Sequence, residues 1–326
     1  MTTNTEGILK SYVYFDGQPY RGFGKGSVSL DPRTGVVYYL QDRQVCSVTL
    51  DGRQKVLAEL PPDQVTAFTH VSADGSWLCV PTTDARALEG YQQVAGKSNF
   101  EVDQRIQAEG LSSYLRIYDT ATGYLVACEP VPKAWVTHVQ FSPVNRHLLL
   151  YNNEYCADSG VRRIWLWDGK SHRRLRTEGD GRSRLDWTCH EMWERDGRAI
   201  IYHGTYTNGV SYVGHVLPDG SGRVEIPFPA GWKRYGHFTV GRPGELVADG
   251  YYEEPGDHLW GGAWISRLEV DWARHHIQWA PLGRHDSTWT SQDCHPHPVF
   301  DHAGGAIWFT SDQSGQRAIY RLPLEH

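Results

Sequence analysis

"ERDGRAIIYHG", residues 194–204, decides the fold: an Asp-Gly turn leads directly into a run of β-branched and aromatic residues that stops at another glycine. Such a run, bounded by turn-forming residues, reads as a strand entered from a tight connection. The same order returns in "SADGSWLCV" (72–80), "SPVNRHLLLY" (142–151), "GRPGELVADG" (241–250) and "DHAGGAIWFTSD" (301–312). Between these lie further short strands such as "GVVYYLQD", "SYLRIYDT", "RIWLWDG" and "AIYRLPL". Strands repeating with a period of roughly 40 to 60 residues mark an all-β chain, a β-propeller of four-stranded blades. Six units are counted, beginning near residues 26, 68, 136, 188, 235 and 293. Residues 1–326 are therefore expected to form a single β-propeller domain. The leftover segment 10–22 is free to pair with the last blade and remove an open sheet edge. One stretch, 85–112, has a helix-favouring composition and reads as an insertion between two strands of the second unit.

Composition narrows the function. With 326 residues, 40 % hydrophobic and 21 % charged, the chain suits a packed globular protein. Its net charge is −6, and the one dense basic run, "KSHRRLR" (170–176), sits beside a turn, so nucleic acid is not the expected partner. No basic start followed by an apolar run opens the chain, and no stretch of about 18 apolar residues occurs, which argues against a signal peptide and a membrane span. Six cysteines without a CxxC pair suit reduced thiols, and a cytoplasmic location is expected.

Alignment of the repeats on their turns brings out a second pattern. "FTHVSADG", "VTHVQFSP", "TCHEMWERDG", "YGHFTVGRPG" and "CHPHPVFDHAGG" place His70, His138, His190, His237 and His295 at nearly equivalent positions. The innermost strand of each blade lines a propeller's channel, so these histidines are expected to share an environment. A purely structural role, one bond to the adjacent blade, is the competing explanation. The last unit adds Gln292 and His297, and in an extended segment His295 and His297 point to one side. Neutral imidazoles with a glutamine carbonyl suit first-row divalent ions, and manganese, zinc, nickel, cobalt and iron all stay open. His237, Gln292, His295 and His297 are all neutral, so a bound ion would keep its charge and favour an anionic ligand.

The motifs "TCHEMWERDG", "YGHF", "HDSTW", "QDCHPHPVF" and "IWFTSDQSGQRAIY" resemble those of the oligogalacturonate lyases, pectin-degrading enzymes, with the likeness running from about residue 26 to the end. The resemblance implies a seven-bladed propeller, cytoplasmic and manganese-dependent, that splits digalacturonate or its unsaturated form by β-elimination. It also implies site roles: His237, Gln292, His295 and His297 as metal ligands, His190 as general base, and Arg163 as a residue meeting substrate near the scissile bond. A base of ordinary pKa near 6.5 suits proton removal at neutral pH, while metal and Arg163 suit the uronate carboxylate. His70, His138 and Trp289 are the candidates for substrate contact. The chain departs from the family in its shorter length, in six counted units where seven are implied, and in "YNNEYCADSGVRR" (151–163), which stands where a longer histidine-containing stretch is expected. Two other readings are a lyase acting on a different acidic polysaccharide fragment and a non-catalytic propeller that binds sugar or protein partners.

Overall fold

A computed structural model describes residues 27–90, 100–154, 163–176, 187–228, 232–254, 257–290 and 294–324. Segment 10–22, expected to close the ring, lies outside the described residues. The described chain forms two compact units, one from Ser11–Arg184 and one from Leu185–His326. Among the described residues there are six antiparallel sheets, and within them strands next to each other in sequence pair, apart from one strand that is broken in two. That meander is what two- to five-residue turns between short strands produce.

In the first unit, sheet one runs Val28–Leu30, Val37–Gln41, Gln44–Val48 and Gln54–Glu59. Sheet two has its first strand broken into Gln64–Thr66 and His70–Val71, both paired with Trp77–Asp84, and continues with Ser112–Asp119 and Leu125–Pro132. Sheet three is Val139–Phe141, Leu149–Asn152, Ile164–Trp167 and His172–Arg174. In the second unit, sheet four is Trp187–Trp193, Ile200–Thr205, Ser211–Val216 and Val224–Pro227. Sheet five is Trp232–Val240, Glu245–Glu254, Asp257–Asp271 and His276–Arg284. Sheet six shows Val299–Phe300, Ala306–Ser311 and Ala318–Pro323.

The turns behave as their residues require. Gly75, Gly197, Gly244 and Gly304 occupy the same place in four repeats with φ of 68°, 70°, 75° and 75°, a conformation that costs a side chain but not glycine. Asp74, Asp196 and Asp301 close these turns by accepting backbone N–H groups from Ser76, Arg198 and Gly305. Sheet three lacks the glycine, and there Asn145 Oδ1 takes the His147 N–H at 3.0 Å.

Insertion 85–112 holds a short 3-10 turn, Ala85–Leu88, and an α-helix, Phe100–Glu109. Val102 and Ile106 bury one side of the helix, and Arg105 donates to the carbonyls of Arg86, Ala87 and Glu89 at the end of the 3-10 turn. None of the helices among the described residues is long and apolar enough to cross a membrane.

Apolar faces of consecutive sheets pack on each other within each unit. Val71, Leu78 and Tyr118 meet Tyr38, Leu40 and Val45 between sheets one and two. Ile201 and Val213 meet Phe238, Leu246 and Ala248 between sheets four and five. Ile201 is fully enclosed, so Ile201→Ala should cost about 2–5 kcal/mol, read as a lower urea midpoint with an unchanged slope.

His70 joins sheet two to sheet three: its Nδ1 accepts the Phe141 N–H at 3.2 Å, and its ring leans on the Phe141 ring. Desolvation pushes its pKa from 6.5 down to about 4. Between those values the unfolded chain binds a proton that the folded chain does not, so stability falls as pH drops from 6.5 toward 4. The wild-type unfolding midpoint is therefore expected to drop further between pH 7 and 5 than that of His70→Asn, which keeps an acceptor and does not titrate.

Candidate metal centre

Irregular pairing on the first strands of sheets four and five positions the site. In Trp187–Trp193 the register shifts between Cys189 and Met192, and His190 within that bulge has φ 53°. In Trp232–Val240 the shift falls between Tyr235 and Phe238 and contains His237. A bulge removes residues from the ladder and re-aims their side chains. The backbone N–H of His237, out of the ladder, donates instead to Asp249 Oδ1 at 2.5 Å, and its ring Nδ1 meets Asp249 Oδ2 at 3.1 Å.

His295 and His297 reach the same point by another route. Residues 294–298 are not strand, and His297 has φ 44°, so the extended geometry expected for this pair does not hold. The segment is pinned from outside: Thr310 N–H donates to the Pro296 carbonyl at 2.8 Å, His297 N–H donates to Asp249 Oδ2 at 3.0 Å, and Ser287 Oγ donates to the Cys294 carbonyl. As a result the rings of His237 and His297 have centroids 3.5 Å apart, and His237 and His295 5.3 Å. One nitrogen from each of His237, His295 and His297 lies within 4.8 Å of the others. Three buried or half-buried imidazoles at that spacing are a donor set that could hold a divalent ion. Gln292 lies outside the described residues.

His190 stands beside this cluster, its ring centroid 4.7 Å from that of His237. Its Nδ1 is 2.6 Å from Nε2 of His203, a buried residue of Ile200–Thr205, and the two rings stack. One of these nitrogens donates and the other accepts, so each ring's tautomer is tied to its neighbour's. Trp289, with φ 58°, lies nearly parallel to His237 at 6.0 Å and 4.5 Å from His295. The loop that carries it is held by Asp312, which accepts the N–H and hydroxyl of Thr288; the hydroxyl bond first, against partial desolvation, keeps the Asp312 carboxyl well below the usual range.

The electrostatics behind the rings are set by burial. Asp249 is fully enclosed, and desolvation pushes its carboxyl up to about 6 against the two backbone N–H donors, His237 and His297. His285 is also enclosed, and desolvation holds its pKa below the ordinary value. It accepts the Ser287 N–H at Nδ1 and donates from Nε2 to the Gly250 carbonyl, which makes it a neutral Nε2–H imidazole.

The remaining candidates lie in the first unit. His138 stacks on Phe68 at 5.1 Å, and its Nδ1 is 3.1 Å from Asn152 Nδ2 and 3.4 Å from Arg163 Nη2. Arg163 is buried and pairs with Glu154 at 3.2 Å; the other Glu154 oxygen takes the Thr137 hydroxyl and Asn152 Nδ2. His70 spends its acceptor on the Phe141 backbone.

Asp249 and His203 escaped the sequence reading, which compared one residue per repeat. Each carried a signal: a charged or imidazole side chain inside an apolar run, "ELVADG" and "AIIYHG", at a position where burial demands a partner.

No protein-family model matches the chain. Two curated proteins match in sequence: an oligogalacturonide lyase of Pectobacterium atrosepticum, 26 % identical over 203 residues, and an oligogalacturonate lyase of Dickeya dadantii, 25 % identical over 204. Each alignment takes in 57 % of this chain and 49 % of the relative, so the chain spans about half the length of the curated relatives it matches. Among solved structures, an oligogalacturonate lyase in complex with manganese superposes with a TM-score of 0.72 and 20 % identity, covering 92 % of this chain and 77 % of that one. An oligogalacturonate lyase from Vibrio parahaemolyticus superposes with a TM-score of 0.71 and 19 % identity, covering 89 % and 75 %. The fold of mostly four-stranded sheets is thus a β-propeller, and the chain is similar in sequence to oligogalacturonate lyases.

Proposed function

We propose that this chain is a metal-dependent lyase of short uronate oligosaccharides, with digalacturonate or its unsaturated form as substrate and β-elimination as the reaction. The observation that carries the reading is the cluster of His237, His295 and His297 with the His190–His203 pair against it, in a chain related to oligogalacturonate lyases. In this proposal the three imidazoles, joined by Gln292, hold a divalent ion, manganese as in the solved relative. Bound there, the ion would supply positive charge to the uronate carboxylate and so lower the cost of taking a proton from the neighbouring carbon.

His190 takes the C5 proton. The electron pair of the C5–H bond becomes the C4–C5 double bond, the C4–O bond breaks, and the departing oxygen gains a proton from water. For Nε2 of His190 to act as base, its Nδ1 must carry the other proton and donate it to His203 Nε2. His203 then orients the base as a buried acceptor. Trp289 offers an apolar face beside the cluster to a sugar ring.

Manganese-loaded protein mixed with unsaturated digalacturonate is expected to change the ultraviolet absorbance of the conjugated uronate, and chelation should abolish turnover until manganese is restored. His190→Ala should lower kcat by roughly 10²–10⁴-fold with metal uptake kept. Metal uptake without turnover of either dimer would overturn the substrate assignment.

Arg163 is tested separately because it is already paired. Arg163→Met leaves the Glu154 carboxylate without its cation and should destabilise the protein by about 3–5 kcal/mol, with Glu154→Gln restoring much of the loss. The double variant turning over at the wild-type rate would take Arg163 out of the reaction.

A further inference from the structure

Two histidines of this chain are gripped in the same way by residues that differ in one atom. In sheet three, Asn152 Oδ1 accepts the backbone N–H of His138 at 2.8 Å, and Asn152 Nδ2 lies 3.1 Å from His138 Nδ1. In sheet five, Asp249 Oδ1 accepts the backbone N–H of His237, and Asp249 Oδ2 lies 3.1 Å from His237 Nδ1. The Asn152 amide is oriented without ambiguity, since its oxygen also takes the Thr137 N–H at 2.8 Å. His138 Nδ1 thus faces two groups that cannot accept from it: the Asn152 amide nitrogen, whose two hydrogens also have Thr137 Oγ1 at 2.7 Å and Glu154 Oε2 at 2.8 Å as acceptors, and the Arg163 guanidinium at 3.4 Å. A proton on Nδ1 would point at these donors, so the setting favours Nε2 as the protonated nitrogen of a neutral His138.

The carboxylate inverts this. In its ionised form Asp249 can only accept, so Nδ1 of His237 carries the proton and Nε2 carries the lone pair. The same carboxylate takes the N–H of His297, 48 residues further along the chain, at 3.0 Å, tying a second ring of the cluster to the first. Its place is carved out for it: a Cβ at Gly236 would overlap the Asp249 carboxylate.

We propose that Asp249 is the positioning residue of the cluster, setting the proton of His237 on Nδ1 so that this histidine, and not its counterpart His138, presents Nε2 as a metal ligand. The inference rests on the metal reading of the cluster given above. A carboxylate behind a ligating histidine raises the basicity of the ring and fixes its orientation, and its loss weakens metal binding by roughly 10–100-fold. In Asp249→Asn the side chain matches Asn152, and the amide would push the His237 proton to Nε2.

The experiment uses the full chain labelled with ¹⁵N-histidine and stripped of metal, with the His237 signals assigned by their loss in His237→Gln. Long-range ¹⁵N–¹H spectra of the wild type should show His237 protonated on Nδ1. A wild-type ring carrying its proton on Nε2 alone overturns the proposal, and this arm needs no metal and no altered Asp249. In calorimetric titration with manganese, Asp249→Asn should bind roughly 10–100-fold more weakly than wild type, with an unchanged far-ultraviolet dichroism spectrum. Binding by that variant within twofold of wild type also overturns it. A wild-type chain that takes up neither manganese nor zinc would instead overturn the metal reading, while the tautomer result judges the role of Asp249 by itself.

Discussion

At Cys189–Met192 and again at Tyr235–Phe238, the first strand of a sheet outruns its partner, and the backbone there leaves the ladder. Backbone donors released inside a protein must find another acceptor. In sheet five that acceptor is Asp249, and meeting the demand also aims the His237 ring and anchors the chain at His297. In sheet four His190 takes a left-handed backbone conformation and its ring is met by His203. The candidate site is thus a consequence of where regular pairing stops, and the rest of each sheet serves to hold those two breaks rigid.

Charge in the second unit is arranged in depth. The rings that face one another are imidazoles, and the carboxylate lies behind them, out of water. Burial alone drives the Asp249 carboxyl up, and the N–H groups converging on it draw it back, so its ionised form depends on those donors. His285, neutral and hydrogen-bonded at both nitrogens, fills the space beyond Gly250 without adding a fixed charge. A cation held by the three rings would see a compensating negative charge one layer away, while its outward side kept its attraction for an anionic sugar.

The first unit solves a related problem with an amide. Asn152, Thr137, Glu154 and Arg163 hydrogen-bond and pair with one another around His138, so that sheet three carries a polar network where sheet five contributes His237 to a set of rings. A buried guanidinium and carboxylate need such mutual partners, since each alone would be costly. Histidine at the equivalent position of a repeat therefore has no single meaning: His70 bonds a neighbouring sheet's backbone, His138 joins a polar network, and His237 joins the cluster.

The sequence by itself determined the all-β character, the starts of six sheets to within six residues, the helical insertion and the rank of histidines on or just before the first strands. These are legible because strand propensity, turn chemistry and repetition are local properties. It also singled out His237, His295 and His297, since imidazoles so placed are rare in a repeat. Only the tertiary structure decided how they converge: His297 arrives through a left-handed backbone and a bond to Asp249, where strand alternation had been the expectation. Asp249 and His203 became visible only there as well. Their roles come from being enclosed beside a residue far away in the chain, and burial with a distant partner is a property of packing that no local pattern encodes.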